Sequence, residues 1–176
     1  MTETRRMTEV AILVAMAIVL ELALSFLPAM PQGGRISISM LPLFVITWRH
    51  GIKYGVIGGV VYGILNLMLD GKLYHWGSFF LDYTIAFGLL GFTAIFKSII
   101  GDNVYGFGVA IVVGFILRFF SHFLSGVILF GEYAEGNVYI YSATYNLTYL
   151  LPAMIVTLIV GVAVFFPLKS LERDAD

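Results

Sequence analysis

Apolar residues gather in six runs along the chain, at about Thr8–Leu27, Met40–Trp48, Tyr54–Leu69, Ser78–Phe96, Tyr105–Phe130 and Ser142–Leu168. Between them lie short segments rich in turn formers and charges: 28–39, with Pro28, Pro31, Gly33 and Gly34, then 49–53, 70–77, 97–104 and 131–141. A helix rises about 1.5 Å per residue, so about 20 apolar residues cross a ~30 Å hydrocarbon core. The pattern therefore predicts an all-α integral membrane protein, a bundle of six transmembrane helices forming a single domain over residues 1–176. The second run is too short to span alone. It must be extended by loop residues such as Ile36 and Ile38, or be sheltered by its neighbours. The first run is too long for a signal-peptide core and has no small-residue cleavage site behind it, so it reads as a retained helix.

Composition narrows the class further. Hydrophobic residues make up 60% of the chain and charged ones 12%, with a mean hydropathy of +0.95, where a soluble domain is about a quarter charged. A net charge of -1 leaves no basic field for nucleic acid. With no Cys, disulfides, thiolate metal sites and Cys nucleophiles drop out, and no metal site is expected. Nothing matches the P-loop spacing, so any energy from ATP must come from another subunit.

Charge placement orients the bundle. If the N-terminus is cytoplasmic, the inner segments hold Arg5, Arg6, Arg49, Lys53, Lys97, Lys169 and Arg173, against Arg35 and Lys72 outside. This satisfies the positive-inside rule and puts both termini in the cytoplasm of a cell membrane. Segments 28–39, 70–77 and 131–141 then face outward. Gly51, Gly55, Gly59 and Gly63, at intervals of four, form a bare stripe on one side of the third helix, which suits close helix packing better than a ligand.

The costly residues come next. Asp82 lies in an apolar fourth helix about one turn from its outer end, where a carboxylate against lipid costs roughly 2.5–3.5 kcal/mol at the bilayer centre and less near the interface. It needs a partner, either an internal cation such as Arg118 or the positive charge of a ligand. Arg118, His122, Gly126 and Phe130 follow at i+4 along one stripe of the fifth helix. His122 alone reads more readily as a hydrogen-bonded interior histidine, and it is the stripe as a whole that points to a pocket. The bare backbone at Gly126 would let a flat ligand lie close, between His122 and Phe130. On the sixth helix, Tyr139, Tyr141, Tyr145 and Tyr149 suit an interfacial belt, whereas the Asn146 amide suits the edge of a heterocycle. Asp82, His122, Phe130, Tyr141 and Asn146 share a depth and outline a pocket for a small, flat, cationic molecule, closed by the Pro/Gly loop. An enzyme using Asp82 and His122 as acid and base is the competing class. No second acid, thiol or activated Ser stands convincingly beside them, and Glu21 is left without a role.

These residues resemble the thiamine-specific substrate-capture subunit (S-component, ThiT family) of energy-coupling factor (ECF) transporters. The likeness covers nearly the whole chain. It rests on Met30-Pro31-Gln32-Gly33-Gly34, Leu81-Asp82-Tyr83 with Ala86-Phe87, His122 with Ser125-Gly126, Phe130-Gly131, and Ile140-Tyr141-Ser142 with Thr144-Tyr145-Asn146. The resemblance implies a non-enzymatic capture subunit that holds thiamine in an occluded pocket near the outer face. It also implies that a coupling membrane protein and two ATPase subunits drive import. Asp82, where some relatives carry Glu, would balance the ligand's charge. Tyr83 and Gly126 would lie near its hydroxyethyl side, His122 and Phe130 would face the rings, and Tyr141, Tyr145 and Asn146 would complete the site. Some relatives have Trp where Phe130 aligns and an aromatic in the first loop, which this chain lacks between Pro28 and Ser39. Ala11 and Ala15, two small residues on one face of the first helix, match the family's docking motif. The shared fold leaves a capture subunit for another small vitamin as the alternative.

Overall fold

The computed structural model describes residues 2–31, 33–70 and 73–173, and for 171–173 the backbone alone. Gln32 of the first-loop motif and Lys72 of the outer segments lie outside the described residues. Everything regular among the described residues is helical: α1 (Glu3–Ala23), α2 (Leu41–Asp70), α3 (Phe79–Ile99), α4 (Val104–Leu129), a single 3₁₀ turn at Gly131–Tyr133, and α5 (Val138–Arg173). Four of the helices, α2 to α5, are long and apolar enough to cross a membrane. Polar side chains cap the starts of three helices: that of Thr2 accepts from the Arg5 amide at α1, that of Asn103 from the Gly106 amide at α4, and that of Asn137 from the Tyr139 and Ile140 amides at α5.

The second and third apolar runs meet head to tail in α2, broken at Gly51, whose backbone (φ 80°, ψ -171°) is not helical. A left-handed φ is open to glycine without Cβ strain, so the break sits where the sequence allows it. Gly51 is thus the hinge of α2 and not a member of the packing stripe. The helix starts at Leu41, so Ile36 and Ile38 do not extend the short run. It is sheltered instead, and every residue from Leu41 to Trp48 is buried. Phe44 stacks on Phe115 with ring centroids 6.1 Å apart, and Trp48 meets Phe107 edge-on at 5.4 Å. This plug of aliphatic and aromatic side chains forms the core, with Val10, Val14 and Ala17 of α1 packed against it.

The remaining stripe packs α2 on α3. A Cβ at Gly59 would collide with the Phe87 carbonyl, one at Gly63 with the Tyr83 carbonyl, and one at Gly55 with the backbone of Gly91. Only bare glycines let the two backbones approach this closely. The contact fixes α3, and with it the segment that carries Asp82. That segment, Phe79–Thr84, is a π-helical turn, a geometry that recurs at functional sites. Its ladder is buttressed from outside, because the Ser121 hydroxyl of α4 donates to the Leu81 carbonyl.

Candidate ligand-binding site

One cavity of about 130 Å³ opens among α1, α2, α3, α4 and α5 at the end where the 24–40 loop crosses the bundle. Asp82, Tyr83, His122, Gly126, Phe130, Tyr141, Tyr145 and Asn146 all line it. Their roles in its construction differ from one another.

Asp82 pairs with neither of the partners left open by the sequence. Its Oδ1 lies 2.9 Å from His122 Nδ1, and its Oδ2 accepts from the Ser125 hydroxyl at 2.7 Å. Arg118 does not reach it. The Arg118 Nε–H donates instead to His122 Nε2 at 3.0 Å, the Nη1 points at the Met40 sulfur, and the guanidinium lies 4.4 Å from the centroid of the Phe87 ring. These bonds fix the imidazole. Accepting from Arg118 requires a bare Nε2, so the ring proton sits on Nδ1 and is donated to Asp82. His122 is therefore neutral, and both Asp82 oxygens are hydrogen-bonded by uncharged groups. One face of this arrangement borders the cavity.

Gly126 and Asn146, which line the cavity, are also engaged within the protein. The missing Cβ at Gly126 leaves room for Ser142 of α5, whose hydroxyl donates to the Phe123 carbonyl, so the bare position serves helix packing at least as much as any ligand. The Asn146 amide is largely committed within the protein. Its Nδ2 donates to the Ser142 carbonyl at 2.9 Å and lies 3.4 Å from that of His122, and its Oδ1 accepts from the Tyr149 hydroxyl at 2.7 Å. Asn146 thus ties α5 to α4 beneath the cavity.

The loop lies over the cavity although its stretch from Pro28 to Ser39 has no aromatic residue. Its tip is a tight turn, with Gly33 N–H donating to the Met30 carbonyl and Met30 N–H to the Gly34 carbonyl, and Gly33 and Gly34 both take positive φ. The aromatics come from elsewhere. The Tyr145 hydroxyl donates to the Gly33 carbonyl at 2.7 Å, that of Tyr74 to the Pro31 carbonyl at 3.3 Å, and the Tyr149 ring occupies the space a side chain at Gly34 would need. Tyr83 is similarly engaged, donating to Asp70 Oδ2 at 3.0 Å.

Glu21, without a role on sequence grounds, stands in the cavity wall. Only 9% exposed, it accepts from the Ser37 hydroxyl at 2.7 Å and lies 3.6 Å from Arg35 Nη1. The Tyr62 hydroxyl, 3.5 Å away, donates to Ser39 at 2.8 Å and accepts from Asn66. Glu21 is the one acid in the C-terminal half of an otherwise apolar α1, and that isolation was the available signal. Counting ionised groups on the lining, Glu21, Asp70 and Asp82 oppose Arg35 and Arg118, which leaves one net negative charge. Among the described residues no group of His, Asp or Glu is arranged to hold a metal ion.

Ala11 and Ala15 are not on the cavity lining and are exposed on α1 beside Ile12 and Met16.

Comparison with known proteins agrees with this architecture. The sequence profile of the thiamine transporter protein family (Thia_YuaJ) matches residues 7–172. Thiamine transporter ThiT of Bacillus subtilis is 35% identical over 96% of this chain and 94% of its own length. Thiamine transporter ThiT of Lacticaseibacillus paracasei is 31% identical over 86% of this chain and 82% of its own length. The solved structure of ThiT from Listeria monocytogenes superposes with a TM-score of 0.79 over 97% of this chain and 96% of that one, at 22% identity, and so shares its fold. The matched relatives are transport proteins and not enzymes. The chain, helical throughout its regular structure and apolar enough to span a membrane, belongs to the thiamine transporter protein family.

Proposed function

We propose that this chain is the thiamine-capture subunit of an ECF-type importer, a single transmembrane domain over residues 1–176 that takes vitamin B1 from the extracellular side. The observation that carries the reading is the Asp82 carboxylate, held by the neutral donors His122 and Ser125 and facing a cavity of net charge -1. Thiamine is a monocation, with a permanently charged thiazolium and a planar aminopyrimidine. Asp82 supplies the countercharge. The aromatic rings of Phe130, Tyr141 and Tyr145 supply stacking and cation–π attraction, worth about 2 kcal/mol when desolvated. Tyr83, His122, Gly126 and Asn146 shape the remaining walls.

Six membrane segments follow if residues 41–50 and 52–70 are counted separately on either side of the Gly51 break. The basic residues then put both termini in the cytoplasm and the lid outside. ATP must be hydrolysed by partners, so the exposed Ala11/Ala15 face of α1 is assigned to docking on a coupling membrane protein that carries two ATPase subunits. Ala11→Trp should leave thiamine binding intact and abolish uptake in cells. Uptake that survives this change would remove α1 as the dock.

The ligand itself is tested by mass spectrometry of small molecules that copurify with the detergent-solubilised protein. Thiamine is expected. Another vitamin in stoichiometric amount would overturn its assignment in favour of a capture subunit for that compound.

A further inference from the structure

Glu21 and Arg35 line the same cavity as Asp82 but belong to other elements, α1 and the base of the lid. Their separation of 3.6 Å makes them an ion pair without a close hydrogen bond. Glu21 is held in place by Ser37 and lies beside the Tyr62–Ser39–Asn66 network, so it does not depend on Arg35 for its position. The Arg35 Nε is buried and has no hydrogen-bond partner among the described residues. A buried donor left open in this way is costly, and a guanidinium serving only to fasten the lid would be expected to use it. What the pair does supply is charge. With both present the lining carries -1. Without Arg35 it would carry -2, and without Glu21 it would be neutral.

We infer that the Glu21–Arg35 pair sets the charge of the cavity and thereby restricts its ligand class to a monocation, Arg35 occupying permanently the countercharge that a second positive group on a ligand would need. This rests on the proposed thiamine reading and deepens it: Asp82 meets the ligand's single charge, and Glu21 is withheld from it by Arg35. Both are specificity-determining residues of the same site.

The test compares two ligands of one shape. Binding of thiamine and of an uncharged isostere, with the thiazolium nitrogen replaced by carbon, is measured on the full-length detergent-solubilised protein. The wild type, Arg35→Gln, Glu21→Gln and the double variant are titrated with each. One unbalanced charge across a cavity of this kind changes the preference for thiamine over the isostere by about tenfold at an effective dielectric of about 20. The preference should rise in Arg35→Gln, fall in Glu21→Gln and return to the wild-type value in the double variant. A lid that merely loosens would weaken both ligands together and leave the ratio unmoved. If Glu21→Gln does not fold, Arg35→Gln against Arg35→Lys suffices, the first raising the ratio and the second holding it. A ratio that stays fixed when Arg35 loses its charge, or that moves the same way in both single variants, overturns the inference. Wild-type protein with no affinity for thiamine would instead overturn the reading beneath it.

Discussion

At the end of the bundle away from the cavity, Glu3, Glu9 and Asp102 each meet a cation. Glu9 lies 2.9 Å from Arg49, and Glu3 3.6 Å from Lys53. Asp102 gathers Lys97 at 3.2 Å, Lys169, and the Trp48 indole N–H at 2.9 Å, tying the loop before α4 to α2, α3 and α5. At the cavity end Asp82 meets only uncharged donors, while Arg118 is answered by an imidazole nitrogen, a thioether and an aromatic face. Charges that answer one another hold helices together and have little left for a ligand. A carboxylate solvated by neutral dipoles keeps its field, and when it borders a cavity that field is available to a cation.

The contrast is broken most severely at Asp82. Asp82→Asn should leave a folded protein and weaken thiamine by roughly a hundredfold or more, since truncating a buried countercharge costs about 2–5 kcal/mol. Unchanged affinity by titration calorimetry would reject the assignment. Ser125→Ala removes one of the two donors and lets the carboxylate drift, so affinity should fall about tenfold, the worth of one hydrogen bond to a charged group. Tyr145→Phe removes the hydroxyl that tethers the lid and keeps the ring. Thiamine dissociation should quicken several-fold in stopped-flow fluorescence, in line with the loss of about 1 kcal/mol, and an unaltered off-rate would mean that the Tyr145–Gly33 bond does not govern closure.

Asp102→Asn probes the other end and should not change thiamine affinity at all. Its effect is on stability, lowering the unfolding midpoint in detergent by an amount set by partly exposed pairs, about 1 kcal/mol or less. Burial alone would raise the Asp102 carboxyl, but hydrogen bonds from Lys169 and Trp48 and the charge of Lys97 outweigh it and hold the group below the ordinary carboxylate value. The folded value is the lower one, so this contribution is complete above the ordinary carboxylate pKa of about 4 and is lost as pH falls below it. The wild type should therefore lose its advantage over Asp102→Asn in strongly acidic buffer and keep it at neutral pH.

Much of the cavity end was legible because charge in an apolar helix is expensive. Asp82 and His122 stood out for that reason, and the i+4 spacing put Arg118 and His122 on one stripe. Sequence spacing shows which residues share a face of their own helix. It says nothing of what arrives from another helix. Hence it does not show that Gly126 also makes room for Ser142, or that Ser142 and Tyr149 bind the Asn146 amide. Nor does spacing show that His122 stands between Arg118 and Asp82. The lid looked incomplete without an aromatic of its own, because the rings that close it lie in sequence at Tyr74, Tyr145 and Tyr149. Glu21 is the lone acid in the apolar C-terminal half of α1, but only the fold shows that it turns into the cavity. In the bundle, the short second run posed the hardest problem, since periodicity could not distinguish a spanning helix from the buried plug that ends at Gly51.

The most direct test is a structure determined with thiamine bound. The thiazolium should lie within about 4 Å of the Asp82 carboxylate, the reach of an ion pair, beneath the loop carrying Gly33 and with His122 still bridging Asp82 and Arg118. Thiamine seated elsewhere, or an Asp82 side chain turned to lipid or closed against Arg118 with no cavity beside it, would contradict the assignment.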